Sequence, residues 1–511
     1  MSSERIQLPE GDLDRARAKF GLVLAPIVLI TLLVLDMGEL SPVAQRLAAI
    51  IGFTVVLWVC ETLPLAMTAM LSVSLCVLFG VAPVREALGG FADPIVFLFI
   101  GSFILAEAMC VHRLDRRIAL TILSQPAISR SMTRVLLGFG AVCAALSMWL
   151  SNTATAAMMT PVALGVLAEI AALYTRQTGK TLSPGQFRAA TGLLLMIAYG
   201  SSMGGLATPI GSPPNLIGIG FIERTLGERI GFFDWMKFAL PLVVLLFGGL
   251  FVALRYLHPP ELQKLEGLED FLQARRDELG PMTVGERSAL IAFSLAVACW
   301  VAPGIFAIYP GDDHPLAKNW TRFLPEGLVP IYAACMLFVL PGGTQPRAIT
   351  WAQATRIDWG TVILFAAGIC LGSLMFSTGL ADALGKVTVV MTGVHTAGGI
   401  LFVSIALAIL VSEAASNTAS ANMIVPVCIA MALAAGVDPV LPALGATFGA
   451  SFGFMMPVST APNAIVHGTG MVPIPKMIKT GGLFDLCGLL VLWAGLMAMN
   501  TVGLIPQIGP K

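Results

Sequence analysis

Ser151-Asn152-Thr153-Ala154-Thr155-Ala156-Ala157-Met158-Met159-Thr160-Pro161 recurs later in the chain as Ser416-Asn417-Thr418-Ala419-Ser420-Ala421-Asn422-Met423-Ile424-Val425-Pro426. Both copies interrupt sequence that is otherwise apolar. Hydroxyls and amides at such a place lie where water is scarce, and each one left unpaired costs several kcal/mol. A polar stretch written twice in this setting points to a ligand.

The surrounding composition sets the medium. Of 511 residues 57% are hydrophobic and 12% charged, against roughly 25% charged in soluble domains, and mean hydropathy is +0.85. An all-α polytopic membrane protein follows. The formal net charge of zero gives no reason to expect a nucleic-acid partner. The nine cysteines, Cys60, Cys143 and Cys370 among them, lie scattered in apolar runs and read as small core residues. Residues 1–19 form a charged tail, and the apolar run from Phe20 has no small-residue cleavage site behind it, so it reads as a first membrane helix.

A span needs about 20 apolar residues. Crossings are therefore expected near 20–36, 44–62, 65–82, 93–111, 187–222, 233–256, 288–309, 327–341, 359–376, 440–470 and 482–504. Those at 187–222 and 440–470 are broken by proline. Residues 133–173 and 397–435 each read as helix, polar tip, helix: a re-entrant hairpin around one Ser-Asn-Thr. With the N-terminus cytoplasmic, most of the 30 Lys and Arg fall on the cytoplasmic side, which supports about eleven crossings and an external C-terminus. The polar insert 259–287 reads as a solvated cytoplasmic linker, 310–326 as an external loop, and 342–358 as an interfacial segment.

The halves match beyond the tips. Val96-Phe97-Leu98-Phe99 aligns with Val362-Ile363-Leu364-Phe365, Met109 with Met375, Leu114 with Leu380, and Pro209, Pro214 and Asn215 with Pro457, Pro462 and Asn463. The first copy starts outside and the second inside, which predicts an inverted repeat with a site at the midplane.

Each tip puts free N–H groups at the start of its second arm and free C=O groups at the end of its first. The breaks Thr208-Pro209-Ile210-Gly211-Ser212-Pro213-Pro214-Asn215 and Met456-Pro457-Val458-Ser459-Thr460-Ala461-Pro462-Asn463 cannot be continuous helix. The plainer alternatives are capped turns and ordinary kinks, yet two tips and two breaks at symmetric positions argue for a site. None of the four stretches holds Lys or Arg, so a bound anion would need co-bound cations. Hard cations take oxygen ligands, and Ser147, Ser151, Asn152 and Gly211 in one half, with Ser412, Ala415, Asn417 and Ser459 in the other, fit sodium. Glu107, Glu413 and His467 are lone ionisable residues in apolar segments, with Glu413 as suited to a structural hydrogen bond as to an ion. Gly379 to Lys386 fails the phosphate-loop spacing and has Val387 where Ser or Thr is required.

Ser-Asn-Thr-Ala-Thr with Gly-Ser-Pro-Pro-Asn, Ser-Asn-Thr-Ala-Ser with Thr-Ala-Pro-Asn, and Glu61-Thr62-Leu63-Pro64-Leu65-Ala66-Met67-Thr68 resemble the divalent anion:sodium symporter family, of the sodium-coupled di/tricarboxylate type. The likeness runs from about residue 45 onward. It implies sodium-coupled symport of succinate, malate, citrate or sulfate, with two sodium sites and substrate contacts from Asn152, Thr153, Ser212, Asn417, Thr418 and Thr460. It also implies a homodimer in the cytoplasmic (inner) membrane, held by a scaffold, with an elevator-type transport domain. On that plan residues 20–92 and 233–358 are scaffold helices, 93–232 and 359–481 the two repeats, and 482–511 the last helix and external C-terminus. Ser459-Thr460-Ala461-Pro462-Asn463 departs from the family's usual Ala-Thr-Pro-Pro-Asn. Thr155 and Ser420 stand where the exchanger branch places a basic residue. The alternatives are a sodium-independent exchanger or permease carrying citrate, sulfate or another anion, and, more distantly, a membrane enzyme. No cofactor beyond sodium is expected.

Overall fold

The computed structural model describes residues 12–38, 40–306 and 315–506, so most of the charged tail and the last residues of the C-terminus lie outside the described residues. The first half is built from α1 (Asp12–Val34), α2 (Pro42–Val59), α3 (Leu65–Leu78), α4 (Pro94–Val111), α5 (Leu114–Leu123), α6 (Met132–Ser147), α7 (Asn152–Thr178), α8 (Arg188–Gly205), α9 (Pro213–Leu226) and α10 (Phe232–Leu257). The second continues with α11 (Leu268–Asp277), α12 (Val284–Phe306), α13 (Pro315–Phe323), α14 (Val329–Leu337), α15 (Trp359–Ser377), α16 (Leu380–Thr392), α17 (Ala397–Ala414), α18 (Asn417–Ala434), α19 (Val440–Gly449), α20 (Ala461–Gly468) and α21 (Ile474–Thr501).

Ten helices among the described residues are long and apolar enough to span a bilayer. They include α7, α17 and α18, which are hairpin arms, so length alone does not separate an arm from a crossing. Two segments expected to cross in full are shorter helices. α14 holds 9 residues, about 14 Å of helix against a hydrocarbon core of about 30 Å, and α3 is also short. Helix α1 begins at Asp12, within the expected charged tail 1–19.

The run from α4 to α10 and the run from α15 to α21 repeat one order: long helix, short amphipathic helix, hairpin, broken helix, long helix. The amphipathic members α5 and α16 are absent from the expected crossings, being too short and too mixed in polarity. Each starts after a residue in the left-handed region, Arg113 (φ 58°) in one run and Gly379 (φ 79°) in the other. Glycine takes that conformation freely, whereas a side chain costs roughly 1–2 kcal/mol there.

Within each run the first hairpin arm packs closely on the first half of the broken helix, α6 on α8 and α17 on α19. The second halves cross over: α9 packs on α18 and α19, and α20 on α7 and α8. This exchange brings both tips and both breaks into one core. The linker is docked rather than merely solvated. Residues 130–132 and 263–265 pair by Met132 N–H to Gln263 O and Leu265 N–H to Arg130 O, each 3.1 Å. The Glu261 carboxylate accepts from Arg188 N–H at 2.6 Å, at the start of α8, and Leu265, Leu268 and Leu272 are buried.

Candidate functional site

Both tips are capped turns. Ser151, with φ −63° and ψ 144°, accepts from Ala154 N–H at 3.2 Å; Ser416, with φ −64° and ψ 147°, accepts from Ala419 N–H at 3.3 Å. That satisfies one orphan donor of each arm. The following residues do more than cap. Asn152 Oδ1 accepts from Ser147 Oγ at 2.6 Å, and Asn417 Oδ1 accepts from Ser412 Oγ at 2.9 Å, so a hydroxyl from the first arm meets the amide that opens the second in both halves. Asn417 also donates to Ser451 O at 3.4 Å. Thr153 is exposed, and Thr418 and Thr460 are half-buried.

Each break is held open by an asparagine. Asn215 Nδ2 donates to Gly205 O and Thr208 O, both at 2.8 Å. Asn463 Nδ2 donates to Gly453 O at 2.9 Å and Met456 O at 3.0 Å. These bonds satisfy carbonyls that proline and the unwound turn leave without helical donors. Thr460 caps α20 by accepting from Asn463 N–H at 3.3 Å, whereas Ser212 Oγ, at the same position of α9, is buried without a partner.

Tip and break touch where glycine permits it. A Cβ at Gly211 would stand 2.6 Å from Gly205 O and 3.0 Å from Met148 O, and one on Gly205 would collide with Asn152 Oδ1. The Asn152 side-chain oxygen and the Gly211 carbonyl therefore face one small volume beside Gly205. Of the expected cation ligands, Ser147, Asn152 and Gly211 come together there. In the second half a Cβ on Gly453 would lie 3.1 Å from both Ser412 O and Ser459 Cβ, which gathers Ser412, Asn417 and Ser459. Ala415 ends α17 with its N–H on Val411 O, and the Ser151 and Ser416 hydroxyls each accept one capping bond.

The clamps that hold break to hairpin differ. In the first half Thr208 Oγ1 donates to Met148 O and accepts from Gly211 N–H. In the second half Glu413 Oε1 accepts from Phe454 N–H at 2.6 Å and Met455 N–H at 2.8 Å, and Oε2 accepts from Ser459 Oγ at 2.7 Å. Glu413 is thus a structural clamp. Asp485 of α21 lies beside it, and the Tyr199 hydroxyl donates to Phe454 O at 2.7 Å. Asp485 and Tyr199 escaped the sequence reading because nothing local ties α8 or α21 to the second break. Glu107 is half-buried, and His467 Nδ1 pairs with Val472 O at 2.8 Å, closing a turn.

Residues 16–504 match the sodium:sulfate symporter transmembrane region. The sodium-dependent dicarboxylate transporter SdcS of Staphylococcus saprophyticus is 33% identical over 479 residues, covering 92% of this chain and 89% of the relative; the SdcS of Staphylococcus aureus strain bovine RF122 is also 33% identical over the same share. Among solved structures, the MtrF efflux pump of Neisseria gonorrhoeae superposes with TM-score 0.57 and the YdaH transporter of Alcanivorax borkumensis with 0.52, each covering 97% of this chain, and 97% and 99% of their own. Both are only 13% identical, so they speak for the fold alone.

Proposed function

The chain belongs to the sodium:sulfate symporter family, and from that premise we propose that it is a multi-pass transporter that couples sodium to the uptake of a divalent anion, a C4-dicarboxylate such as succinate or malate. The observation that carries this reading is the doubled tip-and-break geometry, in which oxygen-rich pockets adjoin two helix N-termini with no Lys or Arg in the four stretches. Asn152, Thr153 and Ser212 from one half and Asn417, Thr418 and Thr460 from the other bind the anion. Ser147, Ser151, Asn152 and Gly211 hold one sodium; Ser412, Ala415, Asn417 and Ser459 hold the second.

The charge balance explains the coupling. Two helix N-termini supply about half a charge each, which leaves about one negative charge of a dianion uncompensated. Sodium beside Asn152 and Asn417 closes that gap, and by linkage anion and sodium tighten each other. The amide carbonyls of Asn152 and Asn417 face the cation side through Ser147 and Ser412, so each tip asparagine touches both ligands. The repeats are inverted, the crossed packing of α9 and α20 forms the core of a transport domain that moves as an elevator, and the protein is a homodimer.

In proteoliposomes an inward sodium gradient should drive succinate uptake that potassium and choline do not. Full uptake in choline would support the sodium-independent exchanger or permease instead. Orientation is tested separately: in a cysteine-free background, Lys264→Cys should be shielded from an impermeant thiol reagent in whole cells and Asn319→Cys labelled.

A further inference from the structure

Serines inside membrane helices usually return their hydroxyl proton to the carbonyl four residues back. Ser201 does so to Ile197 O, and Thr447 to Ala443 O, each at 2.7 Å. Ser202 and Ser451 do not. Both are fully buried, and neither hydroxyl has a hydrogen-bond partner. Each lies a few residues before its break, Ser202 within α8 between Gly200 and Gly204, and Ser451 just past the end of α19 between Gly449 and Gly453. A buried hydroxyl without a partner carries the full desolvation penalty unless a ligand meets it, and one such hydroxyl precedes each break.

Their surroundings say which ligand. The carbonyl of Ser451 accepts from Asn417 Nδ2 at 3.4 Å, and that of the preceding Ala450 accepts from Ser412 Oγ at 2.8 Å. The backbone of Ser451 therefore borders the oxygen cluster of the second tip. Ser202 lies one turn before Gly205, on the same face of α8, and Gly205 is the residue against which Asn152 Oδ1 packs. We propose that the hydroxyls of Ser202 and Ser451 are sodium ligands, one in each half, in addition to the tip and break residues. The inference rests on the reading that sodium binds at the tips. An oxygen with a free lone pair beside amide and carbonyl oxygens suits a hard cation.

Removing an unpartnered hydroxyl breaks no bond in the fold, so Ser202→Ala and Ser451→Ala give a clean test. Full-length variants are titrated with sodium by tryptophan fluorescence without substrate and then assayed for uptake. Loss of a polar contact to a charged group should raise the half-saturating sodium concentration about tenfold, with the melting temperature in sodium-free buffer unchanged or higher. An unchanged sodium curve would mean the hydroxyls hold only water and would overturn the proposal. So would a lower sodium-free melting temperature or failure to fold, since either makes them structural. Asn152→Ala and Asn417→Ala run alongside. If these shift the sodium curve and the serine variants do not, the added ligands fall while the tip sites stand; if none shifts it, the tip reading itself fails.

Discussion

The two half-sites solve one problem with different chemistry. Each must fasten an unwound, proline-broken helix to the tip of a hairpin, and each uses an asparagine to span the break. The first half completes the joint with one neutral hydroxyl, Thr208. The second uses the carboxylate of Glu413, which gathers two backbone N–H groups and the Ser459 hydroxyl, with Tyr199 and Asp485 behind it. Hydrogen bonds to a charged acceptor are stronger than neutral ones but cost more when broken. Sequence symmetry therefore does not make the halves equal: the second break is the more rigidly held, and the cation pocket proposed for it lies beside a carboxylate that the first lacks.

The largest effect should come from the clamps. Glu413→Ala strands the Phe454 and Met455 N–H groups, leaving Ser459 only the Glu413 carbonyl, and should abolish uptake and lower stability by more than about 3 kcal/mol, whereas Thr208→Val should cost about 1–3 kcal/mol. Denaturant titration in detergent compares them, and equal losses would erase the proposed difference. Next are the tip amides. Asn152→Ala and Asn417→Ala should each raise both the sodium and the substrate concentrations for half-maximal uptake by about tenfold or more. The sodium shift should be smaller for Asn417, whose pocket keeps the neighbouring Glu413 charge; a larger one would reverse the ranking.

Weaker again are the threonines. Thr153→Val and Thr418→Val keep the volume and remove one hydroxyl each, so apparent substrate affinity should fall by about tenfold with little change in sodium dependence. Substrate titrations that match the unmodified protein would take these residues out of the site. Smallest is a pH effect at the start of α10. Glu326, in the loop before α14, accepts from Phe232 N–H at 3.0 Å at the start of α10. Burial pushes its carboxyl from the ordinary 4.5 up to about 7, against the pull of the Arg229 guanidinium and the Phe232 N–H. A carboxyl raised in the fold contributes stability that is complete below its unfolded value and is lost as pH rises through about 7. Glu326→Gln should flatten the fall in melting temperature between pH 5 and 8, by a few degrees at most, and leave the comparison between half-sites untouched.

The hairpins, breaks and tip residues were legible because each has a local cause. Serine before Asn-Thr caps a helix, proline unwinds one, and both appear twice. The amphipathic helices α5 and α16 were missed, since a search for spans of about 20 residues passes over them. The role of Glu413 stayed open in sequence, because its partners Phe454, Met455 and Ser459 lie some forty residues on. Asp485 and Tyr199 gave no signal: a buried carboxyl in a long helix looks alike whether it meets a clamp or a cavity.

Sequence by itself determined that this is a helical membrane protein with a doubled polar site and no fixed cation in it, because composition, proline and cap preferences act within a turn or two of helix. Tertiary structure decided that the second half of each broken helix crosses into the opposite half, that Glu413 is a clamp, and that Ser202 and Ser451 are buried without partners. Those outcomes depend on which surfaces meet across hundreds of residues, and glycines such as Gly204, Gly205 and Gly211 set how closely the backbones approach only once the helices have packed.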